Sequence, residues 1–495
     1  MRSSLEPLTP GVGRPGAWFG LVPAIVLGLA LSFLSVVSPL AGIAAACAVG
    51  GSVWLANKPL ALLLAFVISL AIPVQKSVAG LPINAADALL VLWCVFWPFM
   101  TRLESAPSMH GRQVPTVVWA VLPFVGAVAL AQIGSISPFA SFKQLLRIVE
   151  WFVVLPLLLM VFAPSDRFWR FASYMMLAVP CLFAIDGLVE VATNGRSLTA
   201  MLGIPVPIPE GDLEQIRHTF DISGRAGSTF GGAQGLAMYL VMTMSVAIAH
   251  LVRSPDPALR RFAAVSLAVC GAGLVATQSR GGALGAMALL FVMAVVQRAS
   301  IRAWMAAAAV ALVMVVAMVL ALWPGWDGSI TSLVPGRPEA VQDRMILWGV
   351  VKEVFLDHPF TGVGLGNFRD AFFARETWLN VELGYASVHA HNTYLEVLAG
   401  TGLPGLICYL GFLAATATSL LRLWRSGRSG DAVFTLAAIG TLAAYAVFAM
   451  VDMLLLQNMH FLLVLILALG LTARDGEAVG CAGPAGRKSP AGDGA

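Results

Sequence analysis

Fourteen apolar runs of 16 to 29 residues follow one another along the chain, most of them separated by short charged spacers. Each is close to the roughly 20 residues a helix needs to cross about 30 Å of hydrocarbon. Lipid offers no hydrogen-bond partners, so the backbone of such a run must satisfy itself, which a helix does. The chain is therefore expected to be an all-α polytopic membrane protein with about 12–14 transmembrane helices. The spans fall near Ala17–Val37, Leu40–Ala56, Pro59–Val74, Ile83–Met100, Thr116–Gly134, Gln144–Ala163 and Trp169–Ala192. Seven more lie near Gly231–Leu251, Phe262–Gln278, Gly281–Val296, Ala303–Trp323, Thr393–Leu421, Ala432–Val451 and Leu455–Leu471. Composition agrees, since 59% of the 495 residues are hydrophobic and 11% charged, against about 25% charged in a soluble domain. A soluble enzyme is excluded.

With the N-terminus inside, 18 of the 30 Lys and Arg residues fall on the cytoplasmic side, as the positive-inside rule requires. Eight of the other 12 sit in two long outside loops, which that rule discounts. Both termini are expected to be cytoplasmic. The first 16 residues are followed by an apolar run without a small-residue cleavage site, so that run reads as a retained span. The net charge of +4 comes from scattered residues with no Lys/Arg run, so no nucleic-acid partner follows. Five of the six cysteines lie in apolar runs and give neither a disulfide framework nor a zinc spacing.

Polar residues concentrate in two outside segments, a smaller loop over 193–230 and a large one over 324–392. The N-terminal spans occupy 1–192, further spans occupy 422–472, and 473–495 reads as a disordered cytoplasmic tail. Within the large loop, Pro338–Leu356 reads as a surface helix. Proline suits its first turn, Val341, Met345, Trp348 and Phe355 recur at helical spacing, and Pro359 ends it. The run Gly362-Val-Gly-Leu-Gly366 is expected neither to follow a strand nor to open a helix, so a dinucleotide loop is not supported.

The segment Val388-His-Ala-His-Asn-Thr-Tyr-Leu-Glu396 lies where the large loop re-enters the membrane. Thr393 and Glu396 have the spacing of a capping box. His391 then stands just before a helix N-terminus, whose dipole favours anions and a neutral imidazole. A neutral imidazole is what a general base needs. Two further readings stay open for His389 and His391: interfacial histidines without a special role, or a metal site, for which two histidines alone are a weak signal. Arg280, in Ser279-Arg-Gly-Gly282, occupies the outer turn of a helical hairpin, where a charge is costly unless employed. A snorkelling arginine is the plain alternative. Arg344 lies on the surface helix, and Arg225 precedes another outside-to-inside span. Arg225, Arg280, Arg344 and His391 all map to one membrane side, which suggests a site for the phosphate of a lipid-anchored substrate. Asp186 with Glu190, and Arg147 with Glu150, read as structural or gating pairs. Asp452 and His460 flank the last outside turn and are left out of the proposed site.

Four pieces, Gln278-Ser-Arg-Gly-Gly-Ala-Leu-Gly285, Asp343-Arg-Met-Ile-Leu-Trp348, His358–Phe368 and His389–Gly405, resemble the O-antigen ligase and polymerase family in order and spacing. The resemblance covers roughly Gly224 to Leu421, a region 224–421 that includes the large loop. Up to about Ala192 the chain matches in hydropathy alone. The resemblance implies a bacterial inner-membrane glycosyltransferase that acts on the periplasmic face without metal or other cofactor. Its donor would be an undecaprenyl-diphosphate-linked glycan, and its acceptor another glycan or the lipid A core. It places the essential histidine on His391 and the two essential arginines on Arg280 and Arg344. Arg225 and His389, read from their positions alone, are candidate accessory residues. His391 would take a proton from the acceptor hydroxyl while Arg280 and Arg344 stabilise the diphosphate in an inverting transfer. A secondary transporter of a small anion or solute is the alternative, although transporters place ionisable groups near the bilayer midplane and here the charges gather at one surface.

Overall fold

The computed structural model describes residues 59–69, 75–78, 81–84, 86–87, 89–91, 94, 116–162, 166–201, 225–230, 232–298, 339–379, 389–426, 432–454 and 459–471. The expected spans Ala17–Val37, Leu40–Ala56 and Ala303–Trp323, most of the smaller loop and the C-terminal tail lie outside the described residues. The chain is an all-α polytopic membrane protein with one short antiparallel hairpin. That hairpin joins β1 (Gln75–Val78) to β2 (Leu81–Asn84) after α1 (Pro59–Ser69). It corrects one boundary, since the first two residues of the expected Ile83–Met100 span are strand; the third span is described as helix over Pro59–Ser69.

Then come α2 (Thr116–Leu130), α3 (Pro138–Val149), a π-helical turn (Glu150–Val154), α4 (Leu155–Phe162) and α5 (Asp166–Ala192). These are followed by α6 (Ala233–Arg253), α7 (Pro257–Ala276), α8 (Arg280–Val296), α9 (Glu339–Asp357) and α10 (Phe368–Leu379). The last three are α11 (Thr393–Ser426), α12 (Ala432–Phe448) and α13 (Met459–Leu471). Among the described residues five helical segments, Thr116–Gly134, Trp169–Ala192, Ala233–Arg253, Pro257–Ala276 and Thr393–Ser426, are long and apolar enough to cross a membrane. The expected Gln144–Ala163 span begins earlier, at Pro138, and reaches Phe162 through the π turn.

The middle of helix α6, from Leu236 to Ala247, is mostly apolar and buried on every side, as a helix stretch without a polar face must be. It packs against α5, α7, α8 and α12, with α13 behind. The hydroxyls of Tyr409 and Tyr445 lie 2.7 Å apart, and Tyr445 in turn lies 2.9 Å from His460 Nε2. His460 stacks on Trp151 with 4.7 Å between ring centroids. It is fully buried inside the bundle, a tether between helices rather than a group on the outer turn.

The expected amphipathic surface helix is present as α9, and its protein-facing side is not the stripe of Met345 and Trp348. Leu347, Val350, Val351 and Val354 are buried, whereas Met345 and Trp348 are exposed. The buried face packs with Val363, Phe368, Ala371, Phe372, Ala390 and Ala399 into a small core of its own. Arg375 of α10 donates to Asp357 at 2.6 Å and so closes α10 onto α9. The run Gly362–Gly366 does open a helix, α10, contrary to expectation, though no strand precedes it. Gly362 and Gly364 have φ of +63° and +86°. A side chain on Gly362 would run into backbone at 399–401, and one on Gly364 into the hydroxyls of Ser135 and Ser141. Protein fills the space a phosphate would need. Asn367 completes this dock by donating to Ser135 Oγ at 2.7 Å and Ser141 Oγ at 2.9 Å.

The expected single span Thr393–Leu421 is two helices joined at a kink at Gly402, with φ +66° and ψ −171°. There Leu403 N donates to Pro359 O at 2.8 Å, which satisfies the N–H that the kink frees. A residue other than glycine in that backbone region costs about 1–3 kcal/mol, and a Cβ would also meet the carbonyls of Pro359 and Phe360. Gly402→Ala is expected to lower the Tm of the purified protein, and thermal melting in detergent measures this.

Candidate active site

Four segments converge at the re-entry point of α11. The first is the stretch from Arg225, which is tied to the end of α7 by Arg225 Nε donating to Thr277 O at 3.0 Å and Ala226 N to Ala276 O at 3.1 Å. Asp186 and Glu190 hold this stretch from below. Glu190 Oε2 accepts from Gly227 N and Ser228 N at 2.9 and 2.7 Å, and Asp186 Oδ2 accepts from Ser228 Oγ at 2.6 Å. The two carboxylates are thus structural anchors of the arginine-bearing loop. The second segment is the turn into α8, where Ser279 caps the helix by accepting from Gly282 N at 3.1 Å and Arg280 begins it. A hairpin turn at Arg280 is what the sequence suggested.

The third segment is α9. Arg344 lies one turn before Trp348, whose Nε1 donates to Ala390 O at 3.0 Å. The fourth is 389–393 itself. Its helix cap differs from the expected capping box by one residue, because Asn392 Oδ1 accepts from Tyr394 N at 2.9 Å and Leu395 N at 3.1 Å. Thr393 is released from capping and instead donates through Oγ1 to Asp452 O at 2.9 Å while accepting from Leu454 N at 2.9 Å. Glu396 Oε2 reaches back to Ala390 N at 2.9 Å. Asn392 Nδ2 donates to Met450 O at 2.9 Å. So many attachments hold His391 in a left-handed conformation with φ +47°, which a residue with a Cβ adopts at a cost and which clusters at functional positions.

The side-chain geometry is that of an oriented base. His391 Nδ1 is buried and faces Asp452 Oδ1 at 3.5 Å, while 35% of the side chain remains exposed. Nε2 is therefore the nitrogen left open to a substrate. His389 packs beside it with ring centroids 4.2 Å apart. Burial first, then the neighbouring His391, pushes His389 down to about 4 against a partial counter-effect of Asp452, so it is neutral near pH 7. Arg280 lies within Coulombic range of both Arg225 and Arg344. Burial and then the Arg280 guanidinium depress Arg225, and Asp452 opposes them. Among the described residues none of the three arginines forms an ion pair.

The structure therefore brings together all five residues singled out from sequence, Arg225, Arg280, Arg344, His389 and His391. It adds Asp452, which sequence reasoning set aside although a charge beside the last outside turn was visible there. His389, His391 and Asp452 also have their ligand atoms within 4.8 Å of one another, a donor set that zinc accepts. Three guanidiniums without ion-pair partners at the same place oppose a divalent cation and favour an anion.

Residues 265–410 match the family model described as O-antigen ligase. The similarity covers less than a third of the chain. No curated protein matches the chain. The matched segment holds Arg280, Arg344 and His391, and it is similar to a family of membrane proteins of the glycan-transfer type. Arg225 and Asp452 lie outside the matched segment and join the candidate site from the two flanking regions.

Proposed function

We propose that this protein transfers a glycan from an undecaprenyl-diphosphate carrier to an acceptor sugar hydroxyl, with inversion and without metal, on the periplasmic face of a bacterial inner membrane. The observation that carries this reading is the convergence of three guanidiniums on one oriented histidine. Arginine suits a diphosphate because its planar fork makes charge-assisted hydrogen bonds. His391 Nε2 takes the proton of the acceptor hydroxyl, whose oxygen forms a new bond to C1 of the donor sugar. The bond from C1 to the phosphate oxygen breaks, and undecaprenyl diphosphate leaves with the bonding pair. Arg280 and Arg344 meet the charge that develops on it. Asp452 holds the imidazole in position and favours the imidazolium that forms. The excess of Lys and Arg in the short inside loops supports a cytoplasmic placement of both termini and a periplasmic site.

Both a lipid A core and a second repeat unit satisfy this chemistry as acceptor, and we favour the repeat unit, a polymerase reaction. Deleting the gene and sizing the glycan left on the carrier tests the whole reading. Accumulated single repeats indicate a polymerase and accumulated long chains a ligase, while unchanged glycan refutes both. The reaction is expected to proceed unchanged in excess EDTA with purified enzyme. Loss of transfer that zinc restores would move His389, His391 and Asp452 into a metal site.

A further inference from the structure

Trp348 lies on the exposed face of α9, together with Met345. It lies between Leu347 and Gly349 on α9, close to the buried Val350 and Val351, yet 40% of it is open. Its only polar atom is already satisfied, since Nε1 donates to Ala390 O at 3.0 Å. What it presents outward is thus the apolar, π-rich part of the indole. Two constraints fix where that surface stands. Arg344 is one helical turn away on the same side of α9, and Ala390 is the residue between His389 and His391. The indole is therefore bonded to the backbone between the two histidines and stands one helical turn from the guanidinium assigned to the diphosphate.

A sugar joined through C1 to the diphosphate must occupy the interval from that guanidinium to the His391 imidazole, because its C1 has to come within about 3–3.5 Å of the attacking oxygen. One face of a pyranose ring carries C–H bonds with partial positive charge, and the face of an indole is the negative part of its quadrupole. We propose that Trp348 is the platform on which the transferred sugar stacks, a specificity residue that contacts the substrate and sets C1 between Arg344 and His391. This deepens the proposed glycan transfer and rests on it.

Three substitutions separate the stacking role from two others. Trp348→Phe keeps an aromatic face and loses the bond to Ala390. Trp348→Leu keeps apolar bulk and loses the π face, and Trp348→Ala loses both. The full chain is reconstituted in nanodiscs with the undecaprenyl-diphosphate-linked repeat unit that the deletion strain accumulates, and kcat and KM are measured for each variant. Stacking predicts that Leu and Ala raise the donor KM roughly tenfold, about 1.4 kcal/mol, while Phe stays within about threefold. If Phe is as impaired as Ala, the indole matters only as a tether of the histidine segment and the platform is refuted. If Leu matches the wild type, the ring faces lipid and the platform is equally refuted. His391→Ala is run alongside. Transfer surviving in that variant would overturn the active-site reading, whereas an inactive His391→Ala with unaltered Trp348 variants would overturn the platform alone.

Discussion

Replacing His391 with alanine is expected to lower the rate of glycan transfer by about 10²–10⁴-fold, the usual worth of a positioned general base, with little loss of folded protein. The reason for expecting the two effects to separate is structural. His391 Nδ1 has no hydrogen-bond partner among the described residues, and the backbone around it is held by Asn392, Thr393 and Trp348, none of which the substitution removes. The measurement is transfer by purified enzyme together with its Tm. Asp452→Asn is expected to give a smaller loss than His391→Ala, because it weakens the orientation of the imidazole without removing it. His389→Asn is expected to retain most activity, since His391 alone is paired with Asp452 in the ion-pair geometry. If His389→Asn is the inactive variant and His391→Ala works, the base has been assigned to the wrong ring.

Arg280→Ala and Arg344→Ala are each expected to reduce transfer by about 10²–10³-fold, the scale seen when one donor to a developing oxyanion is removed. Lysine at either position should restore only part of the activity, because a point charge does not reproduce a bidentate fork. The two positions are close enough to repel, so their effects are not expected to add. Removing one guanidinium relieves a repulsion on the other in the free enzyme, and the double variant should be less impaired than the product of the singles. Steady-state kinetics of the two singles and the double with the same lipid-linked donor give this coupling directly. Wild-type kinetics in both singles would remove the diphosphate from this location.

Most of the described helices and the residues that gather at the candidate site were legible in the sequence for a plain reason. A bilayer demands long apolar runs, and so few charges are left over that each one outside a spacer stands out. Arg280 at a hairpin turn and His391 before a helix start could be recognised from their immediate neighbours, and α9 from its proline, its periodicity and its terminating Pro359. Tertiary details were less legible. Which face of α9 packs on protein depends on α10 and on the first turns of α11, so Leu347, Val350, Val351 and Val354 are covered while the stripe of Met345 and Trp348 is exposed. The capping residue is Asn392 rather than Thr393, because Thr393 finds better partners in Asp452 and Leu454, 59 and 61 residues away. No local rule could weigh that competition.

By itself the sequence pointed to the membrane class, to apolar runs of spanning length, to an orientation expected from the basic residues, and to three arginines and a histidine as candidates for one site. The tertiary structure decided that these groups meet, that Asp452 joins them, and that Gly362–Gly366 and Gly402 are docking points rather than a nucleotide loop and a helix interior. The division follows from range. Hydropathy and charge act residue by residue and survive in a one-dimensional string, whereas a site assembled from residues 225, 280, 344, 391 and 452 exists only once close packing has chosen which distant surfaces touch.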